Sequence, residues 1–354
     1  EPENYERLTK ILLPKDYVRY RMTGNLSTEP SDAAATLLFD IKTSEWSADM
    51  VQHLGLDKSI LPTIIPSCDI GGRITNKAPK ELGIPQGIPV VAGGADNACA
   101  AAGAGVVSPG SAIVSTGTSG TVVVPVSQPL VDPSLRIHAM NHIQDNIWYL
   151  MGVVLSAGAA LSWWRNTITG SGDLINFEDL ISEASMVRAG SEGLFYLPYL
   201  SGERTPHADS RARGVFSGLH GGHSRGHMTR SVMEGVAFAL KDSMDLISGL
   251  GQAPKFAISV GGGARSALWR QIQADILELD LHTTGPAEGA PFGAAMLAAT
   301  GNGLFQSVSE AAECWVKQTG ITEPDHAQSL LYRDLLAGYR ELYTHLRPWF
   351  AKHS

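Results

Sequence analysis

Residues 111–125 read Ser-Ala-Ile-Val-Ser-Thr-Gly-Thr-Ser-Gly-Thr-Val-Val-Val-Pro. Two β-rich arms, 111–114 and 121–125, flank a tip of small residues with glycine at the turn, a hairpin pattern. A tight tip of this kind exposes successive backbone N–H groups and hydroxyls that can cradle phosphate oxygens without a lysine. An ordinary glycine-containing hairpin reads the same way. Downstream, a helix is expected over 227–248, a strand over 256–260 and a helix over 265–278. A strand near 147–154 leads into an apolar helix from about 156. Strands alternating with long helices indicate an α/β layered fold.

Two more stretches carry chemistry. Residues 85–97, Pro-Gln-Gly-Ile-Pro-Val-Val-Ala-Gly-Gly-Ala-Asp-Asn, are a turn, a short β run and two glycines that stop at Asp96. An Ala/Gly-rich, closely packed helix follows. A carboxylate at a helix N-terminus has its charge favoured by the helix dipole, and glycines let a ligand approach the backbone. A plain N-cap is the competing explanation. Residues 258–266, Ile-Ser-Val-Gly-Gly-Gly-Ala-Arg-Ser, are a strand, a triple glycine and a helix start. Flat backbone there can pack against a purine, with Ser266 on the first helical turn. In this order, carboxylate, phosphate hairpin and glycine-rich turn suit the lining of a cleft between two α/β domains.

Toward the N-terminus, Pro14 suits the first turn of a helix through Tyr17, Tyr20 and Met22, with Gly24 closing it. Short helices are expected near 47–54 and 57–60. Ser108-Pro109-Gly110 is a break and the candidate domain boundary, giving units 1–108 and 109–354.

Composition narrows the function classes. The 354 residues carry 27 Lys+Arg against 35 Asp+Glu, a net charge of −8 that argues against a phosphate-neutralising nucleic-acid binder. Only 18% are charged, too few for a disordered chain. Cys68, Cys99 and Cys314 form neither a disulfide framework nor a CxxC pair, which fits a reducing compartment and a cytoplasmic location. The uncharged run 148–164 falls short of the ~20 apolar residues of a membrane span and contains Gly152 and Gly158. Glu1-Pro2-Glu3-Asn4 lacks the features of a signal peptide, and the absent Met suggests numbering that begins inside a longer protein.

Some patterns are weak. There is no Walker A sequence and no G-x-G-x-x-G after a strand. Gly222-His223-Ser224-Arg225-Gly226 matches a nucleophile elbow, but Gly218-Leu-His-Gly is a poor strand to feed it. His220, His223 and His227 could suggest a metal site, yet Gly221 and Gly222 would spoil the helix needed to align them.

With these residues quoted, the chain resembles the FGGY family of carbohydrate kinases, within the actin/hexokinase-like ATPases. The matching segments are Leu13-Pro14-Lys15-Asp16-Tyr17 with Arg19 to Gly24, Ser31-Asp32-Ala33, and Gly93-Gly94-Ala95-Asp96-Asn97-Ala98. They continue with Ser201-Gly202-Glu203-Arg204-Thr205-Pro206-His207, Arg213 to Leu219, Arg230 to Gly235, and Glu288 to Ala295. The resemblance implies a ribonuclease H-like fold with two domains flanking a cleft. Residues 1–108 would be the sugar side and 109–354 the nucleotide side, with a C-terminal helix about 328–348. It implies ATP-dependent phosphorylation of a sugar, best matching D-xylulose, with ATP and Mg²⁺ as cofactors and a homodimer as the assembly. Asp96 would be the catalytic base and share the Mg²⁺, and Asn97 would contact the sugar. Ser115, Gly117, Thr118, Gly158, Gly262, Gly263 and Ser266 would contact nucleotide. The family's opening Asp-x-Gly-Thr hairpin has no counterpart in the sequence, so the first domain reads as incomplete and the piece alone as inactive. Another sugar or polyol of the same family, and a non-catalytic binding fragment, are the alternatives.

Overall fold

The hairpin arms form β1 (Ser111–Thr116) and β2 (Gly120–Val126), antiparallel with Ile113 opposite Val123 and Thr116 opposite Gly120. The computed structural model describes residues 1–76, 83–169, 175–285 and 289–354, so Glu288 lies outside the described residues. The sheet continues with β3 (His138–Asn141), β4 (Trp148–Val154), β5 (Phe256–Val260), β6 (Asp280–Thr284) and β7 (Gln318–Thr322). Its order is β7-β6-β5-β1-β2-β4-β3. The meander β1-β2-β4 is antiparallel, while β5 joins β1 in parallel and β6 joins β5 in parallel. This is the ribonuclease H-like arrangement of the actin/hexokinase-like fold. The parallel additions need crossovers of helical length, which the sequence supplies between 158 and 285.

Helices of eight or more described residues are α1 (Pro14–Thr23), α2 (Asp96–Gly103), α3 (Gly158–Thr169), α4 (Phe177–Ser185) and α5 (Arg225–Gly249). They continue with α6 (Ala267–Leu277), α7 (Ala290–Gly301), α8 (Val308–Trp315) and α9 (His326–His353). Side chains alternate across the sheet with a period of two. Ala112, Val114, Val122, Val124, Leu150 and Val154 face α5, α6 and α9, where Val236, Leu240, Ile272 and Tyr339 complete one core. Ile113, Val123, Tyr149, Met151 and Ile258 face α2, α7 and α8, where Ala98, Ala102, Met296 and Ala311 complete the other. Buried on both faces, the central strands read as near-continuous Val/Ile/Ala runs.

The Ala/Gly-rich stretch after Asp96 is α2, and it crosses α7 at backbone contact. A Cβ on Gly293 would stand 1.9 Å from the Cys99 carbonyl oxygen, and one on Gly103 would stand 2.3 Å from that of Gly289. Residues before α2 form smaller units. Ser27–Thr28 pairs in parallel with Thr63–Ile64, Phe39–Asp40 pairs with Glu45–Trp46, and Ile70–Arg73 pairs with Pro89–Val91. The Trp148 indole donates to the Ile41 carbonyl at 2.7 Å, joining the 39–46 hairpin to the sheet.

The helix expected over 227–248 runs Arg225–Gly249, the one near 57–60 is a 3₁₀ turn at Lys58–Ile60, and three further boundaries shift for local reasons. α3 starts at Gly158 rather than about 156, because the Ala157 and Gly158 amides donate to the Thr118 and Gly117 carbonyls. A 3₁₀ turn at Gly262–Arg265 delays α6 to Ala267. α9 runs from His326, capped by Asp325, through Pro348 to His353, beyond the 328–348 expected. Phe350, fully buried in the core, anchors the turn beyond the proline. Among the described residues no helix is long and apolar enough to cross a membrane.

Candidate active site

A cavity of about 1510 Å³ opens where the hairpin tip, the start of α3 and the glycine turn before α6 meet. Gly117, Thr118, Gly158, Gly262, Gly263 and Ser266 all line it. Ser115 does not; it sits on β1, half-buried and opposite Thr121 and Val260. The convergence depends on close backbone packing. Gly158 N–H donates to the Gly117 carbonyl at 2.7 Å, and a Cβ on Gly158 would fall 2.5 Å from that oxygen. Gly261, at φ +87°, and Gly263 lie against Thr116, where a Cβ would meet atoms at 2.9 and 2.5 Å. A Cβ on Gly262 alone would meet nothing within 4 Å. Gly261 and Gly263 are thus required by the hairpin, Gly263 lining the cavity as well, while Gly262 has room for a side chain. Thr116 is further fixed by the Gln273 amide, which donates to its hydroxyl at 3.0 Å.

The cavity also has features that motif reading missed. Arg265, exposed, lines it, so a cation stands beside the otherwise lysine-free pocket. Trp163, Asn166 and Phe177 form part of its wall, and the Arg165 guanidinium lies 4.0 Å from the Phe177 ring centroid. Arg265 follows directly on the glycine turn, which is a local signal. The α3 and α4 residues become pocket walls only through packing.

Asp96 is the first residue of α2 and exposed. Its Oδ1 accepts from the Asn97 amide at 2.7 Å and from Asn97 Nδ2 at 3.1 Å. No hydrogen bond to Oδ2 is formed by the described residues. Asp96 and Asn97 do not line this cavity; they lie beside a charged cluster from α1 and the 27–33 segment. There Lys15 Nζ is 2.8 Å from Asp16, 3.5 Å from Glu29 and 3.7 Å from Asp32. Arg19 donates to the Ala92 carbonyl at 2.8 Å. Burial pushes the Asp32 carboxyl up, opposed by Lys15 and reinforced by the negative charges of Glu29, Asp16 and Asp96.

The Ser201–His207 segment braces the end of β4. Leu155 N–H donates to Glu203 at 2.9 Å, and Val153 N–H donates to the Thr205 hydroxyl at 3.0 Å. Glu203 is 2% exposed, and burial pushes its carboxyl up to about 8 against the two backbone donors.

The remaining candidates separate from this site. Ser224 is the N-cap of α5 and forms a capping box with His227. No strand feeds it, so the elbow geometry is absent. His220, His223 and His227 use Nδ1 to accept from nearby backbone amides, and no metal-binding cluster exists among the described residues.

Comparison with known proteins agrees with this architecture. The family model for the N-terminal domain of the FGGY carbohydrate kinases matches residues 1–103, and that for the C-terminal domain matches 112–301. The xylulose kinase of Bacillus subtilis (strain 168) is 40% identical over 347 residues, covering 98% of this chain and 69% of that protein. A ligand-bound xylulose kinase from Lactobacillus acidophilus superposes with TM-score 0.90 at 28% identity, covering 96% of this chain and 68% of the other. A gluconate kinase from Lactobacillus acidophilus gives TM-score 0.92 at 29% identity, covering 98% and 70%. Two family models and a long relative at this identity, on a ribonuclease H-like sheet, leave one conclusion: the chain belongs to the FGGY family of carbohydrate kinases.

Proposed function

We propose that the protein transfers the γ-phosphoryl group of ATP to O5 of D-xylulose, forming D-xylulose 5-phosphate and releasing ADP. The observation that carries the nucleotide half is the meeting of hairpin tip, α3 start and glycine turn around one cavity. Its volume is ample for a nucleotide, since ligand pockets commonly span ~300–1,000 Å³. The sugar half rests on Asp96 and on likeness to proteins named xylulose kinases. The likeness to a gluconate kinase keeps the acceptor open to test.

Phosphoryl transfer proceeds through a loose transition state, so positioning and charge neutralisation outweigh covalent chemistry. Gly117 and Thr118 at the hairpin tip offer main-chain contacts to the phosphates. Gly262, Gly263 and Ser266 meet the adenosine end, and Ser115 supports the tip from β1. Arg265 adds positive charge at the cavity rim. Asp96 Oδ2 orients the acceptor hydroxyl and takes its proton late, while Asn97 holds Oδ1 and contacts the sugar. Mg²⁺ is commonly held by one or two carboxylates plus substrate phosphates. Asp96, an exposed carboxylate with only Oδ1 held by Asn97, would be one such carboxylate. The metal would neutralise phosphate charge when bound. We take 1–108 as the sugar side and 109–354 as the nucleotide side, in keeping with the gap between the two family matches.

The test is phosphorylation of xylulose, ribulose, gluconate and glycerol by the full-length protein. The highest kcat/KM for xylulose is expected; a preference for gluconate or glycerol overturns the substrate assignment and keeps the family.

A further inference from the structure

The segment Glu29-Pro30-Ser31-Asp32 does no chemistry in the mechanism above, yet its hydrogen bonds end on the turn that carries Asp96. Glu29 is fully buried. Its Oε2 accepts from the Ser31 amide, the Ser31 hydroxyl and the Ser67 hydroxyl, each at 2.8 Å, and Oε1 accepts from the Asp32 amide at 2.9 Å. Capping the four-residue helix Pro30–Ala33 accounts for the two amides. The two hydroxyls go further.

Ser31 Oγ, having donated its proton to Glu29, accepts the Ala95 N–H at 2.9 Å. Ser67, held by the same carboxylate, accepts the Gly93 N–H on its carbonyl at 3.2 Å. Between these amides lies Gly94, where a Cβ would come 2.3 Å from Ile143 and 2.9 Å from Cys99. Arg19 grips the Ala92 carbonyl from the other side. The Ala92 N–H also donates to the Asp69 carbonyl at 2.8 Å, so the turn 92–95 is pinned at four backbone atoms, and two of the pins lead to one buried carboxylate with Lys15 3.5 Å away. A hydroxyl that donates to a carboxylate becomes a stronger acceptor, so the Ser31 link to Glu29 strengthens its hold on the Ala95 N–H, while at Ser67 the carboxylate fixes the residue whose carbonyl holds Gly93.

We propose that Glu29, through Ser31 and Ser67, is the positioning residue for the catalytic base. It sets the direction in which Asp96 leaves the turn and so the aim of Oδ2 at the acceptor hydroxyl. The proposal rests on the reading of Asp96 as the base. Geometric demands on such groups are steep, since a misplacement of about 1 Å can cost ~10²-fold in rate.

The experiment compares Ser31→Ala and Ser31→Thr in the full chain. It reads kcat, KM for ATP, and amide exchange across residues 92–99. Ser31→Ala should lower kcat ~10–100-fold, leave KM for ATP unchanged and speed exchange at Ala95; Ser31→Thr, which keeps the hydroxyl, should restore both rates. Wild-type kcat in Ser31→Ala, unchanged Ala95 exchange, or failure of Ser31→Thr to restore them overturns the proposal. A parallel Asp96→Ala variant separates the two readings. Full turnover there removes the base assignment, while Ala95 exchange in Ser31→Ala still decides whether the link holds the turn.

Discussion

At the residue scale, two carboxylates with opposite surroundings carry the sharpest expectations. Asp96 is exposed at a helix N-terminus with one oxygen held by Asn97 and the other open. Asp96→Ala should lower kcat by about 10²–10⁴-fold, the usual worth of a general base. Nucleotide affinity should be nearly intact because Asp96 stands outside the cavity lining; steady-state kinetics with a nucleotide-binding titration checks both. Glu203 is the opposite case, buried against Leu155 and Arg204 amides. Its carboxyl rises from 4.5 to about 8 on folding, so between those pH values the native state keeps a proton that the unfolded chain releases. Its contribution to stability therefore falls as pH rises through that window. Glu203→Gln retains an acceptor for both amides, and its urea midpoint should fall less than the wild type's between pH 5 and pH 8.

At the element scale, glycines that look alike in sequence have different consequences. Gly293 lets α7 lie on α2, with a Cβ position 1.9 Å from a backbone oxygen that has nowhere to move. Gly293→Ala should destabilise by about 1–3 kcal/mol, as overpacked cores do, read by denaturant unfolding. Gly262 faces open space. Gly262→Ala should leave the unfolding midpoint nearly unchanged and weaken nucleotide binding, since the methyl enters the cavity. Equal stability loss in both variants would show that the glycine turn serves folding alone.

At the scale of the whole molecule, ligand and proton binding should both register in global stability. A nucleotide that binds only the folded cavity stabilises by about 2.7 kcal/mol at a hundredfold excess over Kd. The melting temperature should therefore rise with ATP, in Asp96→Ala as in the wild type. His142 and His207 work in the acid direction. Burial lowers each from 6.5 to about 4. The unfolded chain thus takes up protons that the native state refuses as pH falls from 6.5 toward 4, and stability drops across that range by at most roughly 3 kcal/mol per histidine. Thermal melts at pH 7, 5.5 and 4.5 measure this.

The sequence by itself determined the elements and the chemistry-bearing segments. The 111–125 hairpin, the strand at 256–260 and the helix after Asp96 were legible because hydrophobic period and glycine placement are local signals. So was the set of segments that mark the family. Tertiary structure decided what those segments touch. It showed that Gly261 and Gly263 are needed to pack against Thr116 whereas Gly262 is not. It moved Ser115 off the pocket wall and brought in Trp163 and Phe177. It also tied Glu29 to the Asp96 turn across more than sixty residues of chain. A backbone approach of 2–3 Å between distant segments depends on how helices and strands cross, and no local pattern encodes that crossing.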